Sequence, residues 1–342
     1  MISGRQPDRA GVVRALEKLE KIVAPTPLLQ AEIDGQTLYL KAESLQPMGA
    51  FKLRGAWHRL SDLTEPEREK GVVAFSSGNH AQGVAWAARR LGIRATIVMP
   101  ADSPKKKLDN TRTLGAEVVT YDRMTESRET IAARIAEERG SVVVPSFDDP
   151  WVVEGQGSAG LEVCRQMAAL GLAPPDRIVT PCGGGGLASG LALAVPDAEI
   201  VIAEPEGWDD MTRSLSGGEI VPVGPNPPPT ACDALQTLKV APLTFDILNA
   251  RGARGVSVSE AEAGAAMRWA FDNLRLVLEA GGAVALGAVL AGKVEPTERM
   301  LVILSGGNVD ADTFVRMAGL SNPPLRGEVA REARRRGAAG GE

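Results

Sequence analysis

Histidine and cysteine are scarce in this chain. Only two histidines, His58 and His80, and three cysteines, Cys164, Cys182 and Cys232, occur in 342 residues. A zinc site would therefore lack ligands. An odd, scattered set of thiols is no disulfide framework and fits reduced thiols in the cytoplasm. An excess of positive charge is also missing. Lys and Arg number 38 against 43 Asp and Glu, a net charge of −5, which argues against nucleic acid as a partner, since binding needs a basic face. No apolar run is long enough to span a bilayer, and Met1-Ile2-Ser3-Gly4-Arg5 has no apolar core of a signal peptide. With 44% hydrophobic and 24% charged residues, the chain reads as a globular protein long enough for two lobes.

What is present is an alternation of strands and helices. Residues 8–22 place Val12, Leu16, Leu19 and Ile22 on one side of a helix, which Pro25 and Pro27 end. A strand over 37–43 precedes a helix that runs to about Leu60. Strands at 72–75, 95–100, 117–121 and 141–144 are separated by helices at 81–91, 104–114 and 125–139. A helix over 157–171 leads to strands at 177–181 and 199–204, a Pro-rich loop at 222–233, and a short strand at 255–258. Helices at 260–273 and 281–292 and a strand at 300–304 follow. Such alternation predicts parallel βαβ units and an α/β fold. From Pro323 the composition of Arg, Ala and Gly predicts a frayed tail.

Several strand ends carry unusual residues. In Gly49-Ala50-Phe51-Lys52-Leu53-Arg54-Gly55-Ala56 a lysine lies between apolar and small neighbours. Burial disfavours the charged amine and lowers its pKa, and a neutral amine attacks carbonyls. Gly183-Gly184-Gly185-Gly186 joins a strand to a helix, where backbone amides and the helix N-terminus suit an anion. No Lys-Ser/Thr follows, so it is not a nucleoside-triphosphate loop, and it fits a dinucleotide fingerprint only loosely. Ser76-Ser77-Gly78-Asn79-His80 also precedes a helix, as an N-cap or as a carboxylate site. Ser305-Gly306-Gly307-Asn308 follows a buried-looking strand, as a turn or with Ser305 facing a ring nitrogen. Glu204-Pro205-Glu206-Gly207-Trp208-Asp209-Asp210 gathers four carboxylates, as a solvated loop or as ligands for a hard cation.

In this order, from Thr26-Pro27-Leu28 to Asn308, the pieces resemble the fold-type II pyridoxal 5′-phosphate enzymes, in particular the serine/threonine dehydratases and serine racemases. The resemblance implies a large lobe from residues 1–70 and 149–320, a small lobe from 71–148 with a mainly parallel sheet in each, and a flexible tail over 321–342. It makes Lys52 the Schiff-base lysine beside Phe51. It makes Gly183, Gly184, Gly185, Gly186 and Leu187 the phosphate loop, and Ser305 the partner of the pyridine nitrogen. Ser76, Ser77, Gly78, Asn79 and His80 become the substrate-carboxylate loop, with Asn79 also on the cofactor's 3′-oxygen. Glu204, Trp208 through its carbonyl, and Asp210 fall where some members bind Mg²⁺ or Ca²⁺. Two departures stand out: Ala50 replaces the usual serine before the Phe-Lys pair, and Glu279-Ala280-Gly281 lacks the proline that often follows the glutamate.

The implied reaction is β-elimination of water from threonine or serine, giving a 2-oxo acid and ammonia, with Lys52 as general base. The alternatives are racemisation, for which Ser77 supplies the second base, or dehydration of hydroxyaspartate or phenylserine. A rival of another class is a nicotinamide-dependent dehydrogenase, in which Lys52 would have no role. The expected partners are a small amino-acid substrate and a second copy of the chain in a homodimer.

Overall fold

A computed structural model describes residues 4–320 except Asp34, Ser77, Pro104 and Arg123, and without the side chains of Lys106 and Lys107. The tail expected over 321–342 lies outside the described residues. The chain is α/β with two mainly parallel sheets flanked by helices, as its alternation predicts. One sheet has six strands: β1 (Leu28–Ile33), β2 (Gln36–Ala42), β7 (Arg177–Pro181), β8 (Glu199–Pro205), β9 (Arg254–Val258) and β10 (Met300–Leu304). Their order is β1-β2-β10-β7-β8-β9, antiparallel only between β1 and β2. The other sheet is wholly parallel and contains β3 (Val72–Phe75), β4 (Ala95–Pro100), β5 (Glu117–Tyr121) and β6 (Val142–Val143), in the order β5-β4-β3-β6.

Period-two alternation builds a core on each face of the large sheet. Leu38, Leu40, Val201, Ala203, Met300, Val302 and Leu304 enter one core, while Tyr39, Ile200, Ile202, Leu301 and Ile303 enter the other. In the smaller sheet Val72, Ala74, Ile97 and Met99 face one way and Val73 and Val98 the other. Both faces are covered, which parallel strands require. No helix among the described residues is long and apolar enough to cross a membrane.

Some element bounds differ from the sequence reading. The first helix spans Arg9–Leu19, capped by Asp8, whose side chain accepts from the Gly11 amide. The helix expected from 157 begins at Pro150 and ends at Ala169. Its interior glycines weaken the local helix signal, yet they allow close packing. A Cβ on Gly155 would lie 2.5 Å from Gly55 Cα, and one on Gly157 would lie 2.4 Å from the Gly190 carbonyl oxygen. Strand β1 and helices Glu65–Lys70, Asp210–Gly217, Pro242–Ala250 and Ala311–Met317 add to the expected elements.

Parallel strands bring their loops to the C-terminal edge of a sheet. That edge carries the segments after β2, β7, β8 and β10, while β3 delivers its own loop into the helix Asn79–Leu91. This helix packs on helix Lys52–Ser61, so that a Cβ on Gly83 would stand 3.2 Å from the carbonyl carbon and oxygen of Lys52.

Candidate active site

Lys52 opens its helix directly after Phe51. The backbone of Phe51 is held by its amide, which donates to the Ser305 carbonyl at 3.1 Å, and Ala50 forms a β-bridge with Gly306. The lysine start and the end of β10 are thus one unit. Lys52 Nζ donates to the Ser146 carbonyl at 2.9 Å and stands 5.0 Å from the Phe51 ring centroid. Surrounding protein strips solvent from the ammonium and lowers its pKa to about 8, against a small opposing pull from Cys182. An amine so placed is partly neutral near physiological pH, which a nucleophile requires.

The amine faces a cavity of about 640 Å³, ample for a cofactor with a small substrate. Ser76, Gly78, Asn79 and His80 line it from the small-sheet side, and residues of 233–242 and Glu279 line it opposite. Ser77, assigned above as the second base, lies outside the described residues. His80 is turned into the protein. Its Nε2 lies 2.8 Å from the Val144 carbonyl, which can only accept, so Nε2 carries the hydrogen. Burial first, then Lys52, lowers its pKa to about 3, and the ring is neutral.

Asn79 is locked by residues far away in sequence. Its Nδ2 donates to Glu279 Oε1 at 2.6 Å. Its Oδ1 accepts from Asn308 Nδ2 at 2.8 Å, and Asn308 also donates to the Met48 carbonyl at 2.8 Å. Gly49 permits this at φ +69°, since a Cβ there would lie 2.3 Å from Asn308 Oδ1. Gly306 leaves room for Glu279, because its Cβ would sit 2.0 Å from Oε1. Glu279 and Asn308 as holders of Asn79 were not found by sequence reasoning. The visible signal was Glu279 immediately before a helix of small residues, Ala280–Leu290.

The four glycines are each closely approached. A Cβ on Gly184 would lie 2.2 Å from the Phe147 ring, and one on Gly186 would lie 3.0 Å from Phe147 Cβ. Gly185 adopts φ +84° and would meet Met211 Cε at 2.7 Å. The run opens the nine-residue helix Gly186–Ala194, in which Leu187 is buried. Amides at this helix start form a cradle fit for an anion. A reactive amine, a cavity and an anion cradle on one sheet edge satisfy the requirements of a phosphorylated aldehyde cofactor. The buried Ser305, whose amide donates to the Gly282 carbonyl at 3.3 Å, is tied to the lysine segment through its carbonyl, which accepts from the Phe51 amide.

The acidic run does not form a solvated loop throughout. Glu204 belongs to β8 and is fully buried, as is Asp210, the first residue of helix Asp210–Gly217. Glu204 anchors that helix by accepting from the Thr212 amide at 2.7 Å, the Thr212 hydroxyl at 2.6 Å and the Met211 amide at 3.2 Å. Burial raises Glu204 to about 8. Neither carboxylate oxygen of Asp210 has a hydrogen bond of good geometry. The amides of Asp210 and Val240 only lean towards it, and burial carries its pKa up to about 6. Trp208 lies between them, its indole donating to the Pro228 carbonyl at 2.8 Å. No group of three or more His, Cys, Asp or Glu side chains gathers to hold a metal among the described residues.

Comparison with known proteins agrees with this chemistry. A family model described as "Pyridoxal-phosphate dependent enzyme" matches residues 19–306. The L-threo-3-hydroxyaspartate ammonia-lyase of Pseudomonas sp is 40% identical over 315 residues, covering 90% of this chain and 97% of that protein. The serine racemase of Schizosaccharomyces pombe is 36% identical over 312 residues, covering 89% and 94%. The structure of maize serine racemase superposes with a TM-score of 0.84 at 33% identity, covering 91% of this chain and 97% of that one. The nicotinamide-dependent dehydrogenase alternative gives way to a pyridoxal-phosphate dependent enzyme.

Proposed function

The chain belongs to the pyridoxal-phosphate dependent enzymes, and from that premise we propose that it is an ammonia-lyase acting on a β-hydroxy amino acid. The observation that carries the reading is the Lys52 amine, with its pKa near 8, at the wall of a cavity whose lining residue Phe147 lies against the glycine run. When bound, the cofactor supplies the electron sink that makes a Cα proton removable. Lys52 holds the cofactor and then takes that proton. The run Gly183 to Leu187 would hold the phosphate through amides other than that of Gly185, which faces the Cys182 thiol, Asn79 would meet the 3′-oxygen, and Phe51 packs beside the lysine. The loop Ser76, Ser77, Gly78, Asn79 and His80 would receive the substrate carboxylate, with His80 contributing its backbone because its ring is turned onto the Val144 carbonyl.

Ser305 offers the ring nitrogen a hydroxyl rather than a carboxylate. With the cofactor bound, a serine there would draw electron density from Cα less strongly than a carboxylate would, which suits loss of the β-hydroxyl better than return of a proton. Racemisation is the second reading, favoured by the serine racemase at 36% identity. Arg128 and Lys239 in the cavity wall are cations that a second carboxylate, as in hydroxyaspartate, would meet. A homodimer in the cytoplasm completes the reading.

A panel of L-threonine, L-serine, L-threo-3-hydroxyaspartate and phenylserine tests it. At least one should yield a 2-oxo acid and ammonia faster than it yields its own stereoisomer, read by ammonia release and chiral chromatography. D-serine formed faster than pyruvate, with no better elimination on the other substrates, selects the racemase instead.

The acidic pair belongs to the same reading. Asp210, buried without a good hydrogen bond, and Glu204 suit a hard cation with the Trp208 carbonyl. An ion bound only by the folded state stabilises it. Chelation should lower the melting temperature of the parent by roughly 5 °C, reversed by Mg²⁺ or Ca²⁺. Asp210→Asn should not respond to chelator. A parent indifferent to both treatments removes the cation from the account.

A further inference from the structure

Thr244 lies beneath the glycine run and is fully buried. It sits in the first turn of helix Pro242–Ala250. Its hydroxyl is 2.8 Å from the Gly184 carbonyl oxygen and 3.1 Å from that of Ala241. One hydroxyl has one hydrogen, and the shorter contact is the one across to the loop. The Ala241 contact is the local back-bond common for threonine in helices. The carbonyl of Thr244 accepts from Ser189 Oγ at 3.2 Å, which ties the same residue to the helix following the glycines. Its Cβ and Oγ1 stand 3.0 and 3.2 Å from where a Cβ on Gly185 would be.

The peptide between Gly184 and Gly185 is therefore gripped at both ends. Thr244 holds its oxygen, and its N–H faces the buried thiol of Cys182. Consecutive glycines have more backbone freedom than any other sequence. Left free, this run would have to order when an anion arrives, and that ordering weakens binding. Without the hydroxyl, the Gly184 carbonyl is buried and unpaired. The peptide can then rotate to find a new partner, which turns the neighbouring amides out of the cradle.

We propose that Thr244 is a positioning residue for the cofactor phosphate, acting through the Gly184–Gly185 peptide. Apoprotein titrated with pyridoxal 5′-phosphate and, separately, with pyridoxal tests this, because only the first carries a phosphate. The absorbance of bound cofactor gives both affinities. Thr244→Val keeps the volume and should weaken pyridoxal phosphate about tenfold, the worth of one net hydrogen bond, and leave pyridoxal unchanged. Thr244→Ser should restore the parent ratio to within about twofold. Equal weakening of both ligands, or none, overturns the proposal. Should the valine variant not fold, Thr244→Cys, with a weak donor of similar size, must still lower the ratio, and an unchanged ratio overturns the proposal. If the parent itself fails to prefer the phosphorylated form, the cradle is misassigned and the proposal falls with it, whatever the variants do.

Discussion

Lys52→Ala should leave a folded protein that no longer attaches pyridoxal phosphate covalently and has lost turnover by roughly 10³-fold or more. The fold should survive because the lysine contributes no core packing beyond its stem, and its amine bonds one carbonyl, that of Ser146. Stability should even move the other way. The folded-state pKa of Lys52, about 8, lies below its ordinary value of 10.5. Folding thus disfavours the proton, a cost fully present below pH 8 and relieved as pH rises from about 8 towards 10.5. Removing the amine should raise the melting temperature of the cofactor-free protein at pH 7, by a modest amount because the cavity is open to water. In the parent, capture of cofactor should quicken as pH rises through about 8. Stopped-flow absorbance measures the capture, and a keto-acid assay measures the turnover. Undiminished keto-acid production by the variant would falsify the assignment.

The second large effect belongs to Arg54, two residues on in the same helix. It is fully buried and bonds Glu43 through Nε and a terminal nitrogen, both at 2.7 Å, and also Glu162 and Ser158. Lys41 joins Glu162 at 2.8 Å and the Thr26 carbonyl at 2.7 Å. Burial alone would push Glu43 up, but the guanidinium outweighs it and brings the carboxyl down to about 2. Arg54→Ala leaves two carboxylates short of their partner in the interior. The loss should be about 3–5 kcal/mol, a fall of roughly 10 °C in melting temperature.

The pH dependence carries its own sign. The stabilisation from Glu43 is present above its ordinary pKa of 4.5 and disappears as pH falls through about 2. The gap between parent and variant should therefore narrow below pH 4.5. Denaturant unfolding at about pH 7 and about pH 3 measures both gaps, and a gap that widens in acid contradicts the network.

Much of this site was legible because its parts announce themselves locally. A lysine among small and apolar neighbours, and glycines at a strand-to-helix junction, are exceptions to what a turn or surface needs. The joins between the parts were not legible. Asn79 meets Glu279 across 200 positions and Asn308 across 229, and nothing in either neighbourhood specifies the other. Thr244 follows a Pro-rich stretch that reads as loop, so its grip on Gly184 was invisible. The early start of helix Pro150–Ala169 was hidden for a related reason. Glycines there look like breaks until Gly55 and Gly190 are seen lying against them. The acidic run stayed open between a solvated loop and a cation site, because a strand expected over 199–204 does not by itself show that Glu204 and Asp210 are fully buried.

Gly83 has a wider meaning. A methyl group there would stand 3.2 Å from the Lys52 carbonyl, so its absence lets the two backbones lie a few tenths of an ångström closer than a side chain would allow. The working position of Lys52 is thus inherited from an interhelical distance. A side chain placed here would meet backbone atoms of Lys52 and Leu53, which cannot be trimmed as a neighbouring side chain could.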